Sequence, residues 1–363
     1  MADLAAQDGI ETYVASISSG ADAGLRARLQ TSCREVVTVD GDALWDLRAL
    51  ARLARVIRDR RIDVVHTHLA VADVLGALAA KATGRPVVSS LHNIAADRYT
   101  HTGPRRVIAR FASRRLADRL IAVSDVVRST HEEQLRIPAS KLRVIRNVPI
   151  APFLLPHDFD PARKRAELGL SGAIVSTVAR LAVTKDHATL FAAFKPIVGR
   201  RPDATLLVVG DGPNQQPLEL LVEQLGIGGN VRFLGSRADA VELMAASDVV
   251  CNITFAFEGL PIAVLDAMSL GVPLVATRVP GVEEVVEHGE TALLVPAGDP
   301  LAVEQAIEDL LAHRDRALAI GAAARASINA QLDPRAWIES IEAVYREILE
   351  EPGLRQRIGS QLR

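Results

Sequence analysis

Residues 174–213 read IVSTVARLAVTKDHATLFAAFKPIVGRRPDATLLVVGDGP. Two short β-branched runs, Ile174–Ala179 and Thr205–Val209, bracket a longer segment, and the second run breaks off in Gly210-Asp211-Gly212-Pro213. Such alternation argues for βαβ units and parallel sheets. Downstream it continues with strand patterns at Val231–Leu234, Asp248–Cys251, Leu274–Thr277 and Ala292–Val295. Helical patterns lie between them at Asn214–Leu225, Pro261–Leu270 and Pro300–Ala312. Upstream, strands are expected at Thr12–Ile17, Val36–Val39, Asp63–His66, Pro86–Ser89, Leu120–Val123 and Leu142–Ile145, with helices such as Ala43–Arg60 and Val71–Thr83.

Pro149, Pro152, Pro156 and Pro161 crowd the join between these halves and read as a linker. The expected organisation is a first domain over 1–150, a second over 151–333, and a last helix, about Pro334–Glu350, within a terminal segment 334–363. Asp333 before Pro334 is a good helix start, a cap followed by proline at the first helical position. Doubly wound domains bind ligands at the carboxyl ends of their strands, so two of them facing one another would put a site in the cleft.

Composition fits this. The chain has 363 residues and is 49% hydrophobic, enough for two cores at roughly 100–200 residues per domain. A net charge of −2 offers no basic field for nucleic acid. The start, MADLAAQDGIETYV, has no basic region followed by an apolar core, and no run approaches the ~18 apolar residues of a membrane span. A cytoplasmic location is expected. Cys33 and Cys251, both in strand-like segments, read as small buried hydrophobes, and their number and spacing exclude a zinc cluster.

The strand ends carry the chemistry. Phe257-Glu258-Gly259-Leu260-Pro261 is a glycine turn with proline opening a helix, and the free amides of Gly259, Leu260 and the first turn make an anion site. Glu258 repels phosphate but would accept hydrogen bonds from sugar hydroxyls, and Asp266 could do the same for a ribose. The plain alternative is a capped surface helix. Arg180 and Lys185, two cations at one strand mouth, suit a diphosphate leaving group whose charge grows as a sugar departs. Gly210, after Val208-Val209, permits close backbone approach to a ligand, although no G-x-G-x-x-G follows any strand. In the first half His92, after Ser90-Leu91, could bind a sugar hydroxyl or a developing charge, against the commoner structural role. His66 and His68 share one side of a strand end and make a weak zinc case without a carboxylate. Ser124 and Asn147 are equally at home as cap or turn residues. Arg105, Arg106, Arg110 and Arg114 make a basic amphipathic helix that could dock on anionic lipid at the inner face of the cell membrane, or simply be a solvated face.

Together these motifs resemble family 4 of the glycosyltransferases, retaining enzymes of the GT-B fold. Arg180 and Lys185 match the family's diphosphate pair, and Glu258-Gly259-Leu260-Pro261 through Asp266-Ala267-Met268-Ser269-Leu270-Gly271 its E-x7-E block. Gly271-Val272-Pro273-Leu274-Val275-Ala276-Thr277 continues the match; Asp63-Val64-Val65-His66-Thr67-His68 and the strand ending at His92 match the acceptor-side domain. The resemblance implies that Glu258 contacts the donor sugar, Asp266 the ribose, and the amides of Gly259 and Leu260 the phosphate. His92 would face the reacting sugar, and the last helix would pack back on the first domain. It also implies a UDP- or GDP-sugar as co-substrate, no other cofactor, no metal, and a glycan, glycolipid or cell-envelope acceptor. The alternatives are a non-catalytic nucleotide-binding relative and a sugar-nucleotide epimerase. Three departures stand out. Met1–Gly9 reads as the end of a first helix, so the family's first strand and its Gly-Gly loop are expected to be missing, which would leave a gap in a parallel sheet. Asp266 replaces the usual glutamate. Asn147-Val148-Pro149 replaces Gly-Val-Asp, which weakens any role for that turn.

Overall fold

The structure is a computed structural model that describes residues 9–17, 29–39, 46–95, 107–108, 111–255 and 258–351. The chain divides into two units, Met1–Arg146 with Pro334–Arg363, and Asn147–Asp333.

In the first unit the strands are β1 (Tyr13–Ser16), β2 (Glu35–Thr38), β3 (Val65–His68), β4 (Val87–Leu91), β5 (Arg119–Ala122) and β6 (Leu142–Val144). All pairings are parallel; β1 pairs with β2, and β3-β4-β5-β6 make a four-stranded sheet. No ladder joins these two sheets among the described residues. The helices are α1 (Leu47–Asp59), α2 (Ala70–Ala82) and α3 (Asp125–Leu135). Asp46 caps α1 by accepting from the amides of Arg48 and Ala49. Ser124 Oγ caps α3 by accepting from Val127 N at 3.2 Å, so the structure gives Ser124 the cap role. β4 is buried along its whole length although it carries Ser89 and Ser90. Buried hydroxyls need partners, and those they find belong to the site described below.

The second unit contains β7 (Ile174–Val178), β8 (Thr205–Val209), β9 (Val231–Gly235), β10 (Val249–Asn252), β11 (Leu274–Thr277) and β12 (Leu293–Val295) in one parallel sheet. Their spatial order, β9-β8-β7-β10-β11-β12, is that of a doubly wound dinucleotide-binding fold, and the order reverses between β7 and β10. Besides two single turns, Ala151–Leu154 and Pro280–Glu283, the helices are α4 (Pro161–Glu167), α5 (His187–Arg200), α6 (Gln215–Leu225), α7 (Ala240–Ala245), α8 (Ile262–Leu270), α9 (Pro300–Ala312) and α10 (Arg314–Gln331). Phe191, Phe194 and Ile197 of α5 pack with Val175, Leu206 and Val208 in the core on one face of the sheet. Pro161 does not close a loose linker: it is the first residue of α4, with Asp160 accepting from Ala162 N at 2.9 Å.

The final helix, α11 (Pro334–Glu350), belongs to the first unit. Its stripe Ile341, Val344 and Ile348 packs with Val88, Ile121 and Ile145 of β4, β5 and the end of β6. The i, i+3, i+7 spacing puts all three on one face, and each buried aliphatic is worth about 1.5–3 kcal/mol. Tyr345 travels on the same face. Cys251 is buried in β10, as expected of a small hydrophobe; Cys33 is not, being half-buried in a bend before β2 rather than in a strand.

Candidate functional site

The second unit places its polar residues around the switch point, since one functional loop follows β7 and the other follows β10. Lys185 Nζ, from the first, lies 2.5 Å from Glu258 Oε1, from the second, and both side chains are about four-fifths covered. The two loops are also tied by backbone: Thr184 O accepts from Thr254 Oγ1 at 2.7 Å and from Phe255 N at 3.1 Å. Thr254 N in turn donates to Thr277 Oγ1 at the end of β11, at 2.9 Å. Asp186 caps α5 by accepting from Thr189 N, which fixes the end of the lysine loop. Arg180 sits at the start of that loop, exposed and without an ion pair among the described residues, available to an incoming anion.

Gly210 follows β8 with φ +131°, and a Cβ there would overlap Ala179 O. Only glycine lets the β8 loop zip against the β7 loop, where Leu181 N donates to Asp211 O at 2.7 Å and Asn214 N to Leu181 O at 3.0 Å. Gly259 and Leu260 are buried ahead of α8, and Asn147 Nδ2 donates to Leu260 O at 3.0 Å. Gly281, in the one-turn helix Pro280–Glu283 after β11, presses on Gly259 O and Glu258 O so closely that a Cβ would overlap both. Phe257 lies outside the described residues.

Asp266 is placed differently from the sequence expectation. It is only 4% exposed, and its Oδ1 accepts from Ile150 N at 2.7 Å and Ala151 N at 2.8 Å. Burial raises its carboxyl to about 6, against the pull of these two amides. Instead of a carboxylate open to a ribose, the structure shows a clamp on the linker. Asn147, whose turn looked unimportant, is part of the same fastening.

In the first unit the carboxyl ends of β3 and β4 gather His66, His68 and His92. His66 Nε2 is 2.8 Å from Ser90 Oγ and its Nδ1 is 2.6 Å from Tyr345 OH on α11. His68 stacks on His66 with centroids 4.4 Å apart, and its Nδ1 is 3.0 Å from His92 Nε2. Behind them Thr67 Oγ1 reaches Asp73 Oδ1 and Ser89 Oγ, each at 2.7 Å, and burial pushes Asp73 up to about 7. Desolvation and the neighbouring imidazoles hold His66 well below its ordinary range and bring His68 to about 4; desolvation lowers His92 too. The cluster is therefore neutral at neutral pH, and what it can offer a ligand is hydrogen bonding. Among the described residues, no three His, Cys, Asp or Glu side chains form a metal set. Leu69, next to His68, has φ +74° and ψ 155°, a region held almost only by glycine. Such strain concentrates at functional sites.

Two family models tile the chain: one described as Glycosyltransferase Family 4 matches residues 1–148, and one described as Glycosyl transferases group 1 matches residues 158–327. A GDP-mannose-dependent alpha-(1-6)-phosphatidylinositol monomannoside mannosyltransferase from Mycolicibacterium smegmatis is 31% identical over 291 residues, 76% of this chain and 74% of the relative. The chain belongs to glycosyltransferase family 4. Its relatives also include the N-acetyl-alpha-D-glucosaminyl L-malate synthase of Bacillus anthracis, 28% identical over 85% of this chain and 80% of that one. Anabaena HepE, solved in complex with UDP-glucose, matches at a TM-score of 0.85 and 25% identity, covering 95% of this chain and 94% of that one. The fold is GT-B, with two Rossmann-like α/β units. Like its relatives in the family, the chain is a glycosyltransferase.

For a family 4 chain, the sequence marks Lys185, Glu258, Gly259, Leu260 and Gly210, and the structure brings these around one switch point or its bracing loops. It does not mark Thr184, Thr254, Thr277 or Gly281, which hold that arrangement through backbone groups. His66 and His68, marked in the sequence as a weak zinc pair, instead join His92 as a hydrogen-bonded cluster; Tyr345, which meets His66, is unannounced, its only signal being its place on the buried stripe of α11. Of the basic helix, Arg105, Arg106 and Arg110 lie outside the described residues, while Arg114 sits in a single π-helical turn, Ala112–Leu116. No helix among the described residues is long and apolar enough to cross a membrane.

Proposed function

We propose that the second unit binds a UDP- or GDP-sugar at its switch point and that the chain transfers the sugar, with retention and without a metal, to a glycan, glycolipid or cell-envelope acceptor. The observation that carries this is the Lys185–Glu258 pair in the loops that follow the two strands flanking the switch point. One partner suits a diphosphate, the other sugar hydroxyls, and a bound donor would separate them by offering each a better ligand. Arg180 joins Lys185 on the diphosphate, and the amides of Gly259, Leu260 and the first turn of α8 take the phosphate nearest the sugar. Cationic and amide donors fixed in place stabilise the charge that develops on the leaving diphosphate. Both bases are kept in view because the Mycolicibacterium relative is named as GDP-mannose-dependent and Anabaena HepE was solved with UDP-glucose. In the first unit His92 is the group assigned to the reacting sugar. The phosphatidylinositol monomannoside in the Mycolicibacterium enzyme's name supports an envelope acceptor.

The test is thermal stabilisation of the full chain by UDP, GDP and ADP, followed by transfer assays with the sugar of the preferred base. A ligand at 100 times its Kd adds about 2.7 kcal/mol to the native state. Selective stabilisation by UDP or GDP supports the reading. A cooperative melt that no diphosphate moves overturns it, and binding without transfer or donor hydrolysis points to a non-catalytic relative.

A further inference from the structure

At the ends of β3 and β4, His68 Nδ1 and His92 Nε2 are 3.0 Å apart. Two neutral imidazole nitrogens at that distance hold one proton between them: with none the lone pairs repel, and with two the N–H groups collide. Each neutral ring carries one N–H in all. If His68 donates, His92 keeps its proton on Nδ1 and His68 Nε2 is bare; if His92 donates, the outer nitrogens exchange roles. In both cases His68 Nε2 and His92 Nδ1 have opposite character, and neither has a hydrogen-bond partner among the described residues.

Resting on the reading that the first unit receives a sugar, we propose that His68 is a positioning residue for His92, coupling the tautomers of the two rings so that together they always present one donor and one acceptor to sugar hydroxyls. His68 cannot swing away freely. Its face lies on His66, itself pinned between Ser90 Oγ at 2.8 Å and Tyr345 OH at 2.6 Å. The backbone that follows it holds the strained geometry of Leu69, φ +74°. Orientation of an imidazole by a partner on its other nitrogen is the usual way a histidine's role is fixed.

The experiment compares the full chain with His68→Phe, which keeps the ring stack and removes both nitrogens, and His68→Asn, whose amide offers a partner near the lost Nδ1. Nitrogen-15 NMR of labelled histidines reads the His92 tautomer, and steady-state kinetics read transfer. The expected result is that His68 and His92 report the same tautomer in the native chain, Nδ1–H in both or Nε2–H in both, that the His92 tautomer balance shifts in His68→Phe, and that it moves back toward the native balance in His68→Asn. His68→Phe should lower kcat/KM about 2–13-fold, the worth of one hydrogen bond, with the Kd for the nucleoside diphosphate unchanged. His68→Asn should recover most of that loss. An unchanged His92 tautomer in His68→Phe, or native turnover in that variant, overturns the proposal. If the native chain neither binds a diphosphate nor transfers, the functional reading fails, and the tautomer comparison alone still decides the pairing.

Discussion

Lys185 and Glu258 neutralise each other across the switch point of the second unit, 2.5 Å apart, although they lie in different loops and suit opposite ligands. The contact gives substitutions at the two positions different signs. Lys185→Ala removes a charge-assisted contact to the diphosphate, costing about 1.5–3 kcal/mol, roughly 10–150-fold in Kd. Glu258→Gln removes the anion that competes with phosphate for Lys185, so diphosphate affinity should hold or rise by about threefold while turnover falls at least about tenfold. Titration calorimetry with UDP and GDP, beside transfer assays, checks both. Equal losses of binding in the two variants would sink the division of roles.

Gly281 braces the same loop from behind. A methyl group there overlaps Gly259 O and Glu258 O, both backbone atoms that cannot swing aside. Gly281→Ala should therefore cost about 1–3 kcal/mol, a fall in Tm of roughly 2–10 °C, and weaken nucleotide binding with it. Gly199→Ala is the control: it lies inside α5 with nothing within 4 Å of its added Cβ, so it should gain about 0.5–1 kcal/mol. A neutral Gly281→Ala in calorimetric melts would show that the loop gives way at no cost.

Most of the fold was legible because its strands announce themselves. β8 is a β-branched and aliphatic run stopped by Gly210, and α11 begins at Asp333-Pro334 and shows a wide buried stripe. α10 was not read from the sequence, since its buried positions are Ala317, Ile320, Gly321, Ala324 and Ile328, and three small residues of five give little contrast with the outer face. In the site, residue types at strand ends were readable, but pairings were not. Asp266 meets amides more than a hundred residues upstream, and Tyr345 meets His66 across 279 positions. A carboxylate that suits a ribose suits two free amides equally well, and only the path of the chain decides between them.

Leu69 tests whether the first unit holds strain beside its histidines. At φ +74° and ψ 155° a leucine costs about 1–3 kcal/mol, and glycine would remove that at an entropic cost of about 0.5–1 kcal/mol. Leu69→Gly should raise the urea midpoint of the full chain while transfer slows, because His68 loses its fixed approach. A lower midpoint would mean that the backbone there is relaxed.

Asp266 makes stability depend on pH in a direction opposite to that of a salt-bridged carboxylate. Burial lifts its folded pKa from 3.8 to about 6, so between those values the folded state holds a proton that the unfolded chain releases. Its contribution to stability is therefore greatest below about pH 4, declines as pH rises toward 6, and is flat above, the whole decline being about 3 kcal/mol at most. Asp266→Asn keeps an acceptor for the amides of Ile150 and Ala151 but never carries the buried charge. It should match the native chain near pH 4 and gain on it steadily, reaching about 1–3 kcal/mol of advantage by pH 7.5. Asp266→Ala leaves both amides without a partner and should lose about 1–3 kcal/mol relative to Asp266→Asn at every pH. Urea melts of the three proteins at about pH 4.5, 6 and 7.5 separate these expectations. If Asp266→Asn runs parallel to the native chain throughout, the carboxylate is solvated in the folded state and the clamp on the linker carries no buried charge.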